Sequence, residues 1–115
     1  MNKYLITGTT TPEFASAMLS KPQNRFDVVK PFFDQVGMEI IDMFYTSSTD
    51  PNMFVICASD SDSKVEALKN IVYATGTYRR LSWSRIYSAS EYKEVYDYGH
   101  DVMADYVSAL AASEE

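Results

Sequence analysis

Trp83, Arg85 and Tyr87 are the residues of this 115-residue chain best suited to hold a ligand. They alternate along an apolar and aromatic stretch, with Leu81 in the same set, so on a strand all four would share one face. A guanidinium between two aromatic rings would take a carboxylate or phenolate while the rings stack on a flat ligand. A second stretch, Met38 to Ser47, divides into the sets Met38, Ile40, Asp42, Phe44 and Glu39, Ile41, Met43, Tyr45. Asp42 would face the same cavity as Arg85, as a proton acceptor or as its ion-pair partner. Tyr45 is a further candidate for the pocket wall, although an apolar strand position explains it equally.

His100 is the sole histidine. A base working near neutral pH would most simply be this residue, with Asp42 as the other group able to move a proton. On a helical wheel His100 falls at the border of the apolar stripe, one turn from Tyr96 and beside Gly99, where a boundary histidine next to a packing glycine is the plainer account. One histidine is too few for zinc, which takes three or four protein ligands. Haem needs a single axial ligand and is the one cofactor left open; the expectation is none. Cys57 reads as a small buried hydrophobe and Asp60 and Asp62 as helix caps. Tyr92, Tyr96 and Tyr106 have the spacing of a core or interface stripe. No phosphate-binding glycine loop, nucleophile elbow, His-Glu-x-x-His or paired-cysteine motif is present.

The elements that must position these residues follow from periodicity. Lys3–Thr7 reads as a strand. Thr11 caps a short helix with Pro12 at its first position. A second helical segment over about 23–36 carries Phe26, Val29, Phe33 and Val36 at helical spacing; Pro31 is expected to kink or restart it, and Gly37 to stop it. Met38–Ser47 and Met53–Ala58 form a hairpin across the turn formers of residues 47–52. A helix capped by Ser63 or Asp60 buries Val65, Leu68, Ile71 and Val72 and ends near Gly76. Thr77–Tyr87 is the fourth strand. Ser88 and Glu91 have capping-box spacing and open a helix over about 89–111, with residues 113–115 a solvated end.

Strand, helix, strand, strand, helix, strand, helix specifies a single α+β domain of the βαββαβ (ferredoxin-like) kind, closed by an added C-terminal helix. Its helices would cover one face of the sheet. The middle strands carry apolar side chains on both faces, so the other face would leave a patch larger than a lone subunit tolerates. A second copy, sheet against sheet, would cover it, which predicts a homodimer or higher homo-oligomer.

The formal charge of −6 and ten scattered Lys and Arg argue against nucleic-acid binding and against an anionic membrane surface. No stretch is long enough to span a bilayer, and the N-terminus lacks a secretory signal, so the expected location is cytoplasmic. A single cysteine suits a reducing compartment.

The layout resembles the GYD-domain family of the dimeric α+β barrel group. The resemblance covers roughly residues 3–95. It is carried by Lys3-Tyr4-Leu5 leading to Thr11-Pro12-Glu13, by Pro22 and Arg25 ahead of the second helical segment, and by Gly37. Phe44-Tyr45, Phe54-Val55-Ile56, Asp60 to Asp62 and Ser88-Ala89-Ser90-Glu91 continue it. Asp50-Pro51-Asn52-Met53 stands where the family has its Gly-Tyr-Asp hairpin, Pro31 interrupts a helix the family keeps whole, and the tail after Val95 is longer. The resemblance implies a fold and a dimer rather than a chemistry.

Three functions follow as expectations. The first is a homodimer that binds a small aromatic or anionic molecule between sheet and helices. The second is a cofactor-independent monooxygenase or isomerase using Arg85, Trp83, Tyr87 and His100 or Asp42. The third is an assembly module built on the C-terminal helix. The residues do not decide whether the chain is an enzyme.

Overall fold

The computed structural model describes residues 1–113. Its elements are β1 (Asn2–Thr10), α1 (Pro12–Ser20), α2 (Arg25–Val36), β2 (Glu39–Tyr45), β3 (Met53–Ser59), α3 (Asp62–Tyr73), β4 (Tyr78–Ile86), α4 (Ala89–Val102), a 3-10 turn over Met103–Asp105 and α5 (Ala109–Ser113). The strands form one antiparallel sheet in the order β2-β3-β1-β4. β1 is central although first in sequence, because α1–α2 carries the chain from β1 to the far edge strand and α3 carries it back across to β4. This order is compatible with a ferredoxin-like α+β layout.

Local chemistry sets most boundaries. The Thr11 hydroxyl accepts from the Phe14 N–H with Pro12 inside the first turn of α1. Asn24 caps α2 by accepting from the Phe26 and Asp27 N–H groups, and Gly37 ends it at φ 84, a left-handed conformation that costs glycine nothing. Contrary to the expected restart at Pro31, α2 runs unbroken from Arg25 to Val36. The missing N–H removes one bond, and the side chains of Val29, Phe33 and Val36 hold the flanking turns against the sheet. The cap of α3 is Ser61 rather than Ser63 or Asp60, its hydroxyl accepting from the Ser63 N–H. The buried Ser59 hydroxyl accepts from the Ser61 N–H and donates to the Ser61 carbonyl, which fixes the entry two residues before the expected box at Ser63.

The core lies between the sheet and α1–α3. Tyr4 and Ile6 of β1, Ile40 of β2, Met53, Val55 and Cys57 of β3 and Tyr78 of β4 are buried there with Phe33, Val65 and Leu68. Burial pushes the Cys57 thiol up to about 11, so at neutral pH it is a packed, protonated side chain. At Gly8 an added Cβ would stand 2.7 Å from Leu81 Cδ2 and 2.9 Å from Met53 Cε, the ends of two flexible side chains, and 3.1 Å from the Arg80 carbonyl oxygen, so a side chain there would make Leu81 and Met53 shift.

β2 does not keep one alternation. Its register against β3 shifts between Ile40 and Asp42, and Ile41 is the extra residue. Ile40, Met43 and Tyr45 pair with Cys57, Val55 and Met53 on the helix-covered face, whereas Asp42 and Phe44 pair with Ile56 and Phe54 on the open face. The expectation that Ile40 and Asp42 share a face is corrected by this bulge.

The largest departure is at the C-terminus. The expected helix over 89–111 ends at Val102, passes through the 3-10 turn and an extended Tyr106, and restarts at α5 under a Ser108 cap. Ser88 and Glu91 do form a full capping box. α4 does not close the fold. None of its residues is buried, and the molecule measures 64 × 30 × 23 Å with a radius of gyration of 18.9 Å, against about 13 Å for a compact chain of this length. Glu114 and Glu115, expected as a solvated end, lie outside the described residues. No helix among the described residues is long and apolar enough to cross a membrane.

Candidate functional site

β4 places Leu81, Trp83 and Arg85 on the helix-covered face, paired through β1 with Gly8, Ile6 and Tyr4. Their polar groups are engaged by the chain itself. The Trp83 indole N–H donates to Glu66 Oε1 at 2.9 Å, and its ring meets the buried Tyr4 ring edge-on at 5.5 Å. The Tyr4 hydroxyl donates in turn to Asp62; that bond and burial raise its pKa. Glu66 also pairs with Lys69 at 2.8 Å, and the two bonds hold its carboxyl below the usual range. Trp83 thus fastens α3 to the sheet, its N–H and one side of its ring already engaged.

Arg85 is exposed at the end of β4. Its guanidinium carbon lies 4.9 Å from the Tyr87 ring centroid, and Nη2 lies 3.9 Å from Glu91 Oε2. Tyr87 follows the strand, meets Tyr92 at 5.8 Å, and Tyr92 meets Tyr96 edge-on at 5.2 Å. The pairing of Arg85 with Tyr87 is therefore real, but the ring stacks on the guanidinium itself. The Glu91 carboxyl accepts from the Ser88 N–H, and that bond, with Arg85 nearby, keeps its pKa low. These contacts tie the first turn of α4 to β4. A shallow open hollow of about 390 Å³ lies beside them, lined by Arg85, Tyr87, Glu94 and Tyr98.

The other sequence candidates lie elsewhere. Asp42 is exposed on the open face, where its side chain accepts from the Met43 N–H, and the sheet separates it from Arg85. His100 is exposed on α4, about 13 Å along the helix from Glu91, with open space around Gly99. Tyr45 lies on the helix-covered face at the opposite end of the sheet from Arg85. It packs on Phe14, and its hydroxyl is 3.0 Å from that of Tyr78. One chain therefore brings Arg85 and Tyr87 together beside Trp83, and brings none of Asp42, Tyr45 or His100 to them. Between sheet and helices the gap is apolar and holds only about 40 Å³, against about 300 Å³ or more for ligand pockets. Among the described residues no three of His, Cys, Asp and Glu gather as a metal group.

Two groupings were not singled out by sequence reasoning. Asp50 gathers the Thr9 hydroxyl at 2.7 Å, Arg80 at 2.8 Å and Arg79 at 3.2 Å, and these hold its carboxyl low. Asn52 beside it bonds Gly8 and Thr10, so the β2–β3 loop is stitched to the end of the sheet. The second is Arg25 with Tyr45 and Tyr78. Burial raises the pKa of both tyrosines, more strongly at Tyr78, while the Arg25 charge draws both down. Arg25 was visible only as a residue before a helix, because its neighbours lie 20 and 53 positions away.

Apart from the buried Arg25 Nε–H, which has no acceptor among the described residues, the remaining unmet groups are apolar. α4 exposes Tyr92, Val95, Tyr96, Val102 and Met103 along one stripe. The open sheet face carries the stacked pair Phe44 and Phe54 with Leu5, Ile56 and Ile86 beside them. No protein-family model matches the chain, no curated protein is significantly similar to it, and no solved structure matches it.

Proposed function

We propose that the chain acts as a self-assembling subunit, a homodimer of the dimeric α+β barrel kind represented by the GYD-domain group, in which a second copy covers the open sheet face and α4. The observation that carries this reading is the state of α4. A 14-residue helix without tertiary packing is marginal in water. This one has a complete cap and an apolar stripe, and its side chains in that stripe are 46–66 % exposed. Covering the exposed part of Val95, Val102 and Met103 would contribute roughly 1–1.5 kcal/mol each.

Charge supports a second copy's body, rather than its α4, as the surface that α4 meets. Nine Lys and Arg and nine Asp and Glu precede Ala89, so the body is formally neutral. The whole charge of −6 lies in the remainder, where Lys93 stands against seven carboxylates. Two such helices side by side would repel each other, whereas a formally neutral body with an apolar open face would not.

Sedimentation velocity at low micromolar concentration tests the proposal, comparing the parent with Tyr96→Glu. A dimer for the parent and a monomer for the variant are expected. A parent that sediments as a single subunit at these concentrations contradicts the reading.

A further inference from the structure

A groove of about 300 Å³ runs between α2 and the end of α3. Val28, Phe32, Ile71 and Val72 give it apolar walls. Arg25 and Tyr78 stand at the end where α2 begins and α3 stops, and Phe32 lies two turns further along α2. The groove is therefore polar at one end and apolar along about 10 Å of helix.

Arg25 is the group that the fold leaves unfinished. Its Nη1 donates to Gln23 Oε1 at 2.6 Å. Its Nε–H is buried and has no acceptor among the described residues. None of the ion pairs among the described residues includes it. A buried donor without an acceptor is rare in a folded chain. Gln23 occupies Nη1 and the Tyr45 hydroxyl lies within the guanidinium's reach, so the Nε–Nη2 edge, which matches the two oxygens of a carboxylate, is presented when the guanidinium turns from Tyr45. The start of α2 adds a favourable field for an anion there.

We propose that this groove binds a monocarboxylate with a short apolar body. Its carboxylate would lie on the Nε–Nη2 edge of Arg25 after a small swing of the guanidinium, within reach of the Tyr78 hydroxyl, and its body would lie along Val28 and Phe32. All the residues belong to one chain, so the site is independent of the proposed dimer. Burial keeps the Tyr78 phenol protonated across the physiological range, which leaves it a donor.

Titration of the full chain with octanoate, followed by isothermal calorimetry and by resonances of the groove, tests this. Saturable binding that perturbs Arg25 and Phe32 is expected, with 1-octanol binding far more weakly. Arg25→Ala should weaken octanoate by about ten- to hundredfold, the loss of a charged hydrogen-bonded pair. Val28→Glu, at a half-exposed position that tolerates a polar group, should weaken it comparably by placing a carboxylate beside the ligand's, and serves if Arg25→Ala does not fold. No saturable binding, equal affinity for 1-octanol, undiminished binding by a folded Arg25→Ala or by Val28→Glu, or perturbations confined to other surfaces would overturn the site.

Discussion

The body of the molecule, β1 to β4, and the segment from Ala89 onward solve the same problem in opposite ways. The body places its apolar side chains between sheet and helices and binds its loops back to the strands through Asp50, Asn52, Ser59 and Trp83. α4 has equally good local chemistry, a full capping box and an i,i+4 Lys93–Asp97 pair at 2.8 Å, yet buries nothing. Local signals form a helix in both regions; only in the body do they come with a surface to pack against. The difference places the chain's uncovered apolar surface in α4 and the open sheet face, which the proposed second copy would cover.

The comparison breaks most visibly at the α4 stripe. Tyr96→Glu should raise the dimer dissociation constant on the order of 30-fold or more, as expected for an aromatic anchor at an interface, measured by sedimentation equilibrium. If α4 is merely an exposed appendage, the same change leaves association untouched. In the body, Gly8→Ala should destabilise the fold by about 1–3 kcal/mol in urea unfolding, because Leu81 and Met53 must give way.

Smaller effects sharpen the boundary between the two regions. Ser88→Ala removes the cap of α4 and should cost about 1 kcal/mol, read as faster amide exchange over the first turn of α4 with the strands unchanged. The Glu91 carboxyl has a lowered pKa in the folded chain. Its contribution is therefore fully present above the unfolded carboxylate value of about 4.3, and is lost as pH falls through the lowered folded value. Helical content of α4 should decline on that acid limb before the strands respond, as followed by amide resonances. Gly99→Ala distinguishes free from covered helix. On a bare surface alanine stabilises α4 by up to about 1 kcal/mol. Against a closely packed partner the added methyl weakens the dimer instead.

The element order, Pro12 at the first position of α1, and the Ser88–Glu91 box were legible in the sequence because each is written in residues a few positions apart, whereas Pro31 was misread as a break because the packing that carries α2 through it is not local. The face assignment of Trp83 and Arg85 was legible from alternation. Asp42 was misread because a bulge at Ile41 inverts the alternation, and nothing in a stretch with apolar residues on both alternating sets marks the extra residue. The end of the last helix was misplaced because Tyr106 and Leu110 continue a helical spacing that no tertiary surface enforces. Arg25 with Tyr45 and Tyr78 was illegible because its members meet only when β2, α2 and β4 are in place.

Isotope-filtered NOE spectroscopy on an equimolar mixture of labelled and unlabelled chains tests the central claim most directly. Cross-peaks between the Tyr92 and Tyr96 rings of one chain and side chains of the other's body are the predicted result. Contacts of those rings confined to their own chain, or no contacts beyond α4 itself, would contradict it.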